Sequence, residues 1–242
     1  MNRGEEAIRA IFDDGPVLLP FLTAGLPDPG SSPRLFSAMA SAGAAAFEAG
    51  IPYSDPLMDG PVVMRASEMA LAAGTTPPVA LEVIREVVAG TGRPVLAMTY
   101  ANPVMQLGWD RFCERLAGSG AAGMIVPDLP LEESKDLQRA CRTAGLGLVQ
   151  FVSPMSPVER IKQVAASDPI FIYGVTDLGV TGERAIVSPR VESLSERVRQ
   201  VTDCPLVLGV GISTPAQARA VRHLADGVIV GSALVRLVLE AK

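Results

Sequence analysis

Short runs rich in Val, Ile, Leu and Phe recur along the chain, each followed by a turn and a longer stretch with apolar residues three and four positions apart. The runs are Val17–Thr23, Ala45–Ile51, Val95–Tyr100, Gly123–Pro127, Gly147–Val152, Ile170–Val175, Leu206–Gly209 and Gly227–Gly231. They are apolar almost throughout and do not alternate with polar residues, which predicts parallel strands buried on both faces. The stretches between them predict helices. Val79, Leu81, Ile84, Val87 and Val88 fall at helical spacing, as do Phe112 with Leu116, and Leu194 with Val198 and Val201. Start signals stand at Ser31 to Pro33, Pro77–Pro78, Glu132–Ser134, Pro157, Ser188–Pro189 and Thr214–Pro215, and Gly43, Gly92, Gly120 and Gly145 follow helices as C-terminal glycines do. Eight strand-then-helix units form either a closed barrel or a doubly wound sheet. No Gly-x-Gly-x-x-Gly follows the first strand, where a dinucleotide fold would carry it. The predicted architecture is therefore an α/β fold, a single (β/α)8 TIM barrel with an N-terminal helix, and residues 1–242 read as one domain. The length of 242 residues suffices for a barrel that usually needs about 250.

Composition narrows the partners. A 48% hydrophobic content suits a large core, and a net charge of −5 without any Lys- or Arg-rich run argues against nucleic acid. Cys113, Cys141 and Cys204 are far apart in sequence and lack metal-ligand spacing, so they read as buried reduced thiols of a cytoplasmic protein. No apolar run approaches the roughly 20 residues of a membrane span. The opening segment Met1 to Ile11 carries Arg3, Glu5, Glu6 and Arg9 and does not read as a signal peptide. The one histidine, His223, falls in an expected surface helix, Pro215–Leu224, and reads as solvated. Neither a Ser-His-Asp triad nor a His-rich zinc site can then be assembled, and acid–base chemistry falls to carboxylates, Tyr or Lys.

Barrels of this kind place their chemistry at the carboxyl ends of the strands. Glu48 interrupts the apolar run Ala-Ala-Ala-Phe-Glu-Ala-Gly-Ile. A carboxylate buried there is costly, and its raised pKa suits a general acid or base near neutral pH. The loop Pro52 to Pro61 follows directly, with three prolines that stiffen it and two acids, Asp55 and Asp59, that it presents. Glycine-rich turns, Leu178–Gly182, Val210–Thr214 and Val230–Ala233, follow the last three strands. Their backbone N–H groups, with a helix N-terminus, suit an anion such as phosphate.

Taken together these residues resemble one family closely, the α subunit of tryptophan synthase. The resemblance rests on Pro20-Phe-Leu-Thr-Ala-Gly25, Phe47-Glu-Ala-Gly-Ile-Pro-Tyr-Ser-Asp-Pro-Leu-Met-Asp-Gly-Pro61, Tyr100-Ala-Asn-Pro103 and Pro127-Asp-Leu-Pro130. Gly179-Val-Thr-Gly182, Gly209-Val-Gly-Ile-Ser213 and Gly231-Ser232 complete it, in order along nearly the whole chain. It implies retro-aldol cleavage of indole-3-glycerol phosphate to indole and glyceraldehyde 3-phosphate in tryptophan biosynthesis, with no cofactor and no metal in this chain. By the same resemblance Glu48 and Asp59 are catalytic. Phe21, Tyr100, Ile125 and Tyr173 line the indole pocket, and Gly182, Gly211, Gly231 and Ser232 hold the phosphate. It also implies an α2β2 assembly, in which indole passes to a pyridoxal-phosphate β subunit. Departures from the family pattern stand at Met64 and Met69, where Gln and Arg are usual, at Thr176 and at Asp177. The chain also ends at Lys242, just past a short helix, where family members usually continue through a longer one, so a shortened C-terminus is expected. Two alternatives stay open on the sequence: a free-standing indole-3-glycerol-phosphate lyase that releases indole, and an inactive homologue that only activates a β subunit.

Overall fold

The computed structural model describes residues 3–175, 188–209 and 211–241. Its strands are β1 (Val17–Thr23), β2 (Phe47–Gly50), β3 (Val95–Met98), β4 (Gly123–Ile125), β5 (Gly147–Leu148), β6 (Gln150–Val152), β7 (Ile172–Val175), β8 (Leu206–Gly209) and β9 (Gly227–Val230). All pair in parallel, in the order β5-β4-β3-β2-β1-β9-β8-β7-β6. The ends of that order are the two halves of one predicted run, Gly147–Val152. β5 pairs back to β4 and β6 pairs forward to β7. Between them the Val149 N–H donates to the Met124 carbonyl at 3.1 Å, and the Leu148 carbonyl accepts from Ile170 N–H at 3.1 Å. The fifth stave thus changes partner in mid-course and closes the sheet, giving the expected TIM barrel.

Other predicted runs overshoot their strands by a few residues. Ala45 and Ile51 flank β2, yet the Ala45 N–H donates to Leu18 and the Ile51 N–H to Met98. Such flanks are apolar, buried at Ile51 and half-buried at Ala45, and backbone-bonded without regular ladder geometry, so hydrophobicity alone does not separate them from strand. Helices begin where the sequence signals stand, at Ser32, Pro77, Lys135 after a short 3-10 turn, Val158, Pro189 and Pro215. The helix from Pro215 ends at Val221, short of the expected Leu224, and His223 beyond it is exposed.

Packing follows from the all-apolar strands. Leu19, Phe47, Leu96 and Met124 are fully buried, and Phe36 of the helix Ser32–Ser41 meets Phe47 edge-on at 5.3 Å. The N-terminal helix Arg3–Ala10 lies against the start of β4: a Cβ at Gly4 would stand 2.7 Å from the Ala122 carbonyl oxygen, so glycine permits the approach. Ile8 of that helix is fully buried, and Arg9 bridges Glu5 and Asp168. The thiols are free, as read, but two of them are neighbours in space. Cys113 and Cys141, on helices Trp109–Gly118 and Lys135–Ala144, bring their Sγ atoms to 3.8 Å in the interior, whereas Cys204 is half-buried. That contact, together with burial, pushes the Cys141 thiol well up. Among the described residues no helix is long and apolar enough to cross a membrane.

Candidate functional site

Register decides which side chains meet. Phe21 of β1 and Glu48 of β2 are direct partners, and partners in a parallel ladder point to the same face. Glu48 is in turn partnered with Leu96, Met98 lies two residues beyond Leu96 on the same face, and Ile125 partners Met98. Across the barrel Tyr173 partners Phe151, their rings 5.3 Å apart. These inward positions, Leu96 excepted, line a cavity of about 640 Å³ at the carboxyl ends of the strands, together with Asp59, Gly211, Ser213, Gly231 and Ser232.

Glu48 is 4% exposed and its Oε2 has no hydrogen-bond partner among the described residues. Burial, with repulsion from Asp59, pushes its carboxyl up to about 8. Asp59 is half-buried, and burial raises it to about 6 against the hydrogen bond that Tyr100 donates to it. The two acids therefore differ in readiness to ionise. Near neutral pH Glu48 holds its proton and Asp59 has lost its own, a difference that their surroundings impose. Asp55, the other acid of the loop, is exposed, takes a hydrogen bond from Ser54, and does not line the cavity.

Tyr100 stands behind the cavity wall, not in it. Only 2% exposed, its hydroxyl accepts from the Met58 N–H at 3.2 Å and donates to Asp59, so it holds the acid-bearing loop from below. Neighbouring loops are tied to the same region. Asn102 Nδ2 donates to the Tyr53 hydroxyl at 2.8 Å, and Asp128 accepts from Ala101 N–H at 2.9 Å. Two glycines of the resembling motifs give space to aromatic rings. A Cβ on Gly50 would come within 2.8 Å of the Phe21 ring, and one on Gly209 within 2.2 Å of the Tyr173 hydroxyl. Tyr173 is buried, and burial with repulsion from Glu48 and Asp59 keeps its hydroxyl protonated.

On the far side, Gly211 adopts φ +83°, a left-handed conformation that glycine takes without strain. Its loop is fixed by the Thr214–Gln217 capping box and by Gln217 Oε1, which accepts from the Ser213 N–H at 2.7 Å. Gly231 caps the helix Ser232–Glu240 and meets the same cavity. Gly182, its loop Leu178–Gly182, Thr176, Asp177 and Val210 lie outside the described residues. Met64 and Met69 sit on the helix Pro61–Ala72, partly exposed and away from the cavity lining. Sequence reasoning passed over Met98, Phe151, Ile229 and Arg236, all of which line the cavity. The first three are inward residues near strand ends, recoverable by counting in twos from Glu48 once the register is known. Arg236 lies four residues after Ser232, one helical turn on.

Comparison with known proteins adds the family. The sequence profile described as tryptophan synthase alpha chain matches residues 11–242. The tryptophan synthase alpha chain of Synechococcus sp. (strain CC9902) is 46% identical over 225 residues, covering 93% of this chain and 84% of the relative. That of Prochlorococcus marinus (strain MIT 9313) is 44% identical, covering 93% and 82%. Among solved structures, tryptophan synthase from M. tuberculosis in its aminoacrylate-bound form superposes with a TM-score of 0.87 at 33% identity, covering 97% of this chain and 93% of that one. The tryptophan synthase complex from Pyrococcus furiosus gives 0.84 at 31% identity, covering 93% and 90%. The chain belongs to the tryptophan synthase alpha chain family.

Proposed function

We propose that Glu48 and Asp59 carry the proton transfers by which this chain, a lyase of tryptophan biosynthesis, cleaves indole-3-glycerol phosphate. The observation that carries the reading is the pair of unlike carboxyls in one cavity, Glu48 raised to about 8 and Asp59 to about 6. Protonated Glu48 gives its proton to the indole ring carbon that bears the side chain, while the Asp59 carboxylate takes the proton of the ring N–H. The ring carbon becomes tetrahedral and the ring a leaving group. Glu48, now a carboxylate, removes the proton of the adjacent side-chain hydroxyl. That oxygen forms the aldehyde carbonyl of glyceraldehyde 3-phosphate, and the carbon–carbon bond breaks. Its electrons restore the aromatic ring as nitrogen recovers the proton from Asp59. Both acids end as they began. Phe21, Ile125 and Tyr173 supply apolar surface for the indole, and Gly211, Gly231 and Ser232, with Gly182, hold the phosphate through backbone N–H groups and the Ser232 hydroxyl.

With indole-3-glycerol phosphate and the free enzyme, kcat/KM should follow a bell. The acid limb lies near 6, where Asp59 must lose its proton, and the alkaline limb near 8, where Glu48 loses the proton it must deliver. Because the two carboxyls repel, these limbs belong to the pair. Absence of indole release, or a rate still rising above pH 9, would sink the assignment.

The chain is proposed to work as one barrel domain and to dock on a β subunit in an α2β2 assembly. Support comes from the structural neighbours, which include tryptophan synthase complexes. It comes also from the exposed apolar side chains Leu57 and Met58, on the loop that carries Asp59, and Met105, on the helix Ala101–Leu107. Closure of such loops completes a site and excludes water. Mixing with a β subunit from the same source should give a larger species on size exclusion and faster indole formation. Full activity alone with no complex would favour the free lyase. A cytoplasmic location fits the three free thiols.

A further inference from the structure

The cavity holds an electrostatic problem that backbone glycines do not resolve. Its ionisable lining includes the Asp59 carboxyl, ionised near neutral pH beside protonated Glu48, and a phosphate ester brings up to two more negative charges into the same space. Among the described lining residues one side chain is cationic, Arg236. It sits on the helix Ser232–Glu240, four residues after Ser232. Residues four apart share a helix face, and side chains lean toward the helix N-terminus, so Arg236 is directed back over the turn that begins with Gly231 and Ser232. Gly211 and Ser213 line the cavity alongside it.

Arg236 is also uncommitted. Arg9, Arg139, Arg160 and Arg199 each pair with a carboxylate, whereas Arg236 makes no ion pair or hydrogen bond among the described residues. It is exposed, as a group must be that meets a ligand at the mouth of a cavity. A guanidinium presents a planar fork of donors that fits two phosphate oxygens at once, which backbone N–H groups and a lysine ammonium do not reproduce.

We propose that Arg236 is a substrate-binding residue, whose guanidinium grips the phosphate from the open side of the cavity while the backbone at Gly211, Gly231 and Ser232 holds it from beneath. Arg236 then selects for the phosphorylated substrate and counters the Asp59 carboxylate as the anion enters. This rests on the proposed lyase reading, which supplies a phosphate ester as the ligand.

The test compares wild type with Arg236→Gln and Arg236→Lys, each checked for native circular dichroism. Three quantities are read: kcat and KM for indole-3-glycerol phosphate, inhibition by inorganic phosphate, and the dependence of KM on ionic strength. Arg236→Gln should raise KM about tenfold or more with kcat within about twofold. It should weaken phosphate inhibition in proportion and flatten the salt dependence, because screening acts on the charge removed. Arg236→Lys should recover part of the loss. A wild type that cleaves substrate, beside a folded Arg236→Gln with unchanged KM and unchanged phosphate inhibition, overturns the role of Arg236 and leaves the lyase reading standing. A wild type that releases no indole overturns the lyase reading instead. Calorimetric titration of both proteins with inorganic phosphate then decides Arg236 alone, equal affinities counting against it.

Discussion

Glu48→Gln should abolish indole release, by at least a hundredfold, and at the same time make the protein harder to unfold at neutral pH. Both effects come from the same burial. A positioned acid–base group typically contributes about 10²–10⁴-fold, and Gln can neither give nor take the proton. For stability, the carboxyl is raised from an ordinary value of 4.5 to about 8 in the fold. Below pH 4.5 folded and unfolded chains both hold the proton and nothing is lost. As pH rises from there toward 8 the unfolded chain releases it and the folded one does not, so stability falls by about 1.4 kcal/mol per pH unit. Above 8 the penalty is constant. At pH 7, 2.5 units above 4.5, that amounts to about 3 kcal/mol, which the neutral amide avoids. The gain should be near zero at pH 4 and grow with pH, as followed by urea unfolding at several pH values. A variant that is active, or one whose stability relative to wild type is independent of pH, would contradict the role given to Glu48.

Gly211→Asp should raise KM for indole-3-glycerol phosphate by about a hundredfold while altering the carboxyl chemistry far less. Two costs coincide at this residue. Its φ of +83° is one that side chains rarely adopt, and an added carboxylate would stand in the cavity where the phosphate is proposed to lie. Like charges in contact cost several kcal/mol, and about 2.7 kcal/mol corresponds to a hundredfold. Gly211→Asn separates the two, since Asn tolerates left-handed backbone and carries no charge. Asn should cost much less than Asp. Equal losses in both variants would mean that backbone strain, not phosphate repulsion, is at work.

How much of this was legible beforehand depends on which physical signal each feature leaves. Continuous apolar runs announce strands buried on both faces, and all eight staves stood where the pattern placed them. The partner change at Val149 was not legible, because Gly147–Val152 is one short run, apolar apart from Gln150, with no turn residue to divide it. Glu48 was visible as a charge in an apolar run, and the structure buries it at 4% exposure. Composition and spacing did not separate Asp59 from Asp55, since both are loop acids among prolines, and only the family resemblance singled out Asp59. The fold puts Asp59 at the cavity and Asp55 in solvent. Tyr100 was read as a wall of the pocket from the resemblance, whereas its hydroxyl faces Met58 and Asp59. The contact of Cys113 with Cys141 joins positions 28 residues apart and is set by how two helices lie side by side, which no spacing rule encodes.

The stave that switches partner at Val149 also divides the barrel into two arcs. One runs from β1 to β5 and carries Glu48, with Asp59 on the loop after β2; the other runs from β6 to β9 and carries Tyr173, with Gly211 and Gly231 on the loops after β8 and β9. A ligand that engages the carboxyls at one end and the glycine loops at the other therefore spans both arcs, like a tie-rod across a split hoop. Its binding energy bears on the seam at Val149 and on the β1–β9 junction, as well as on the residues it touches.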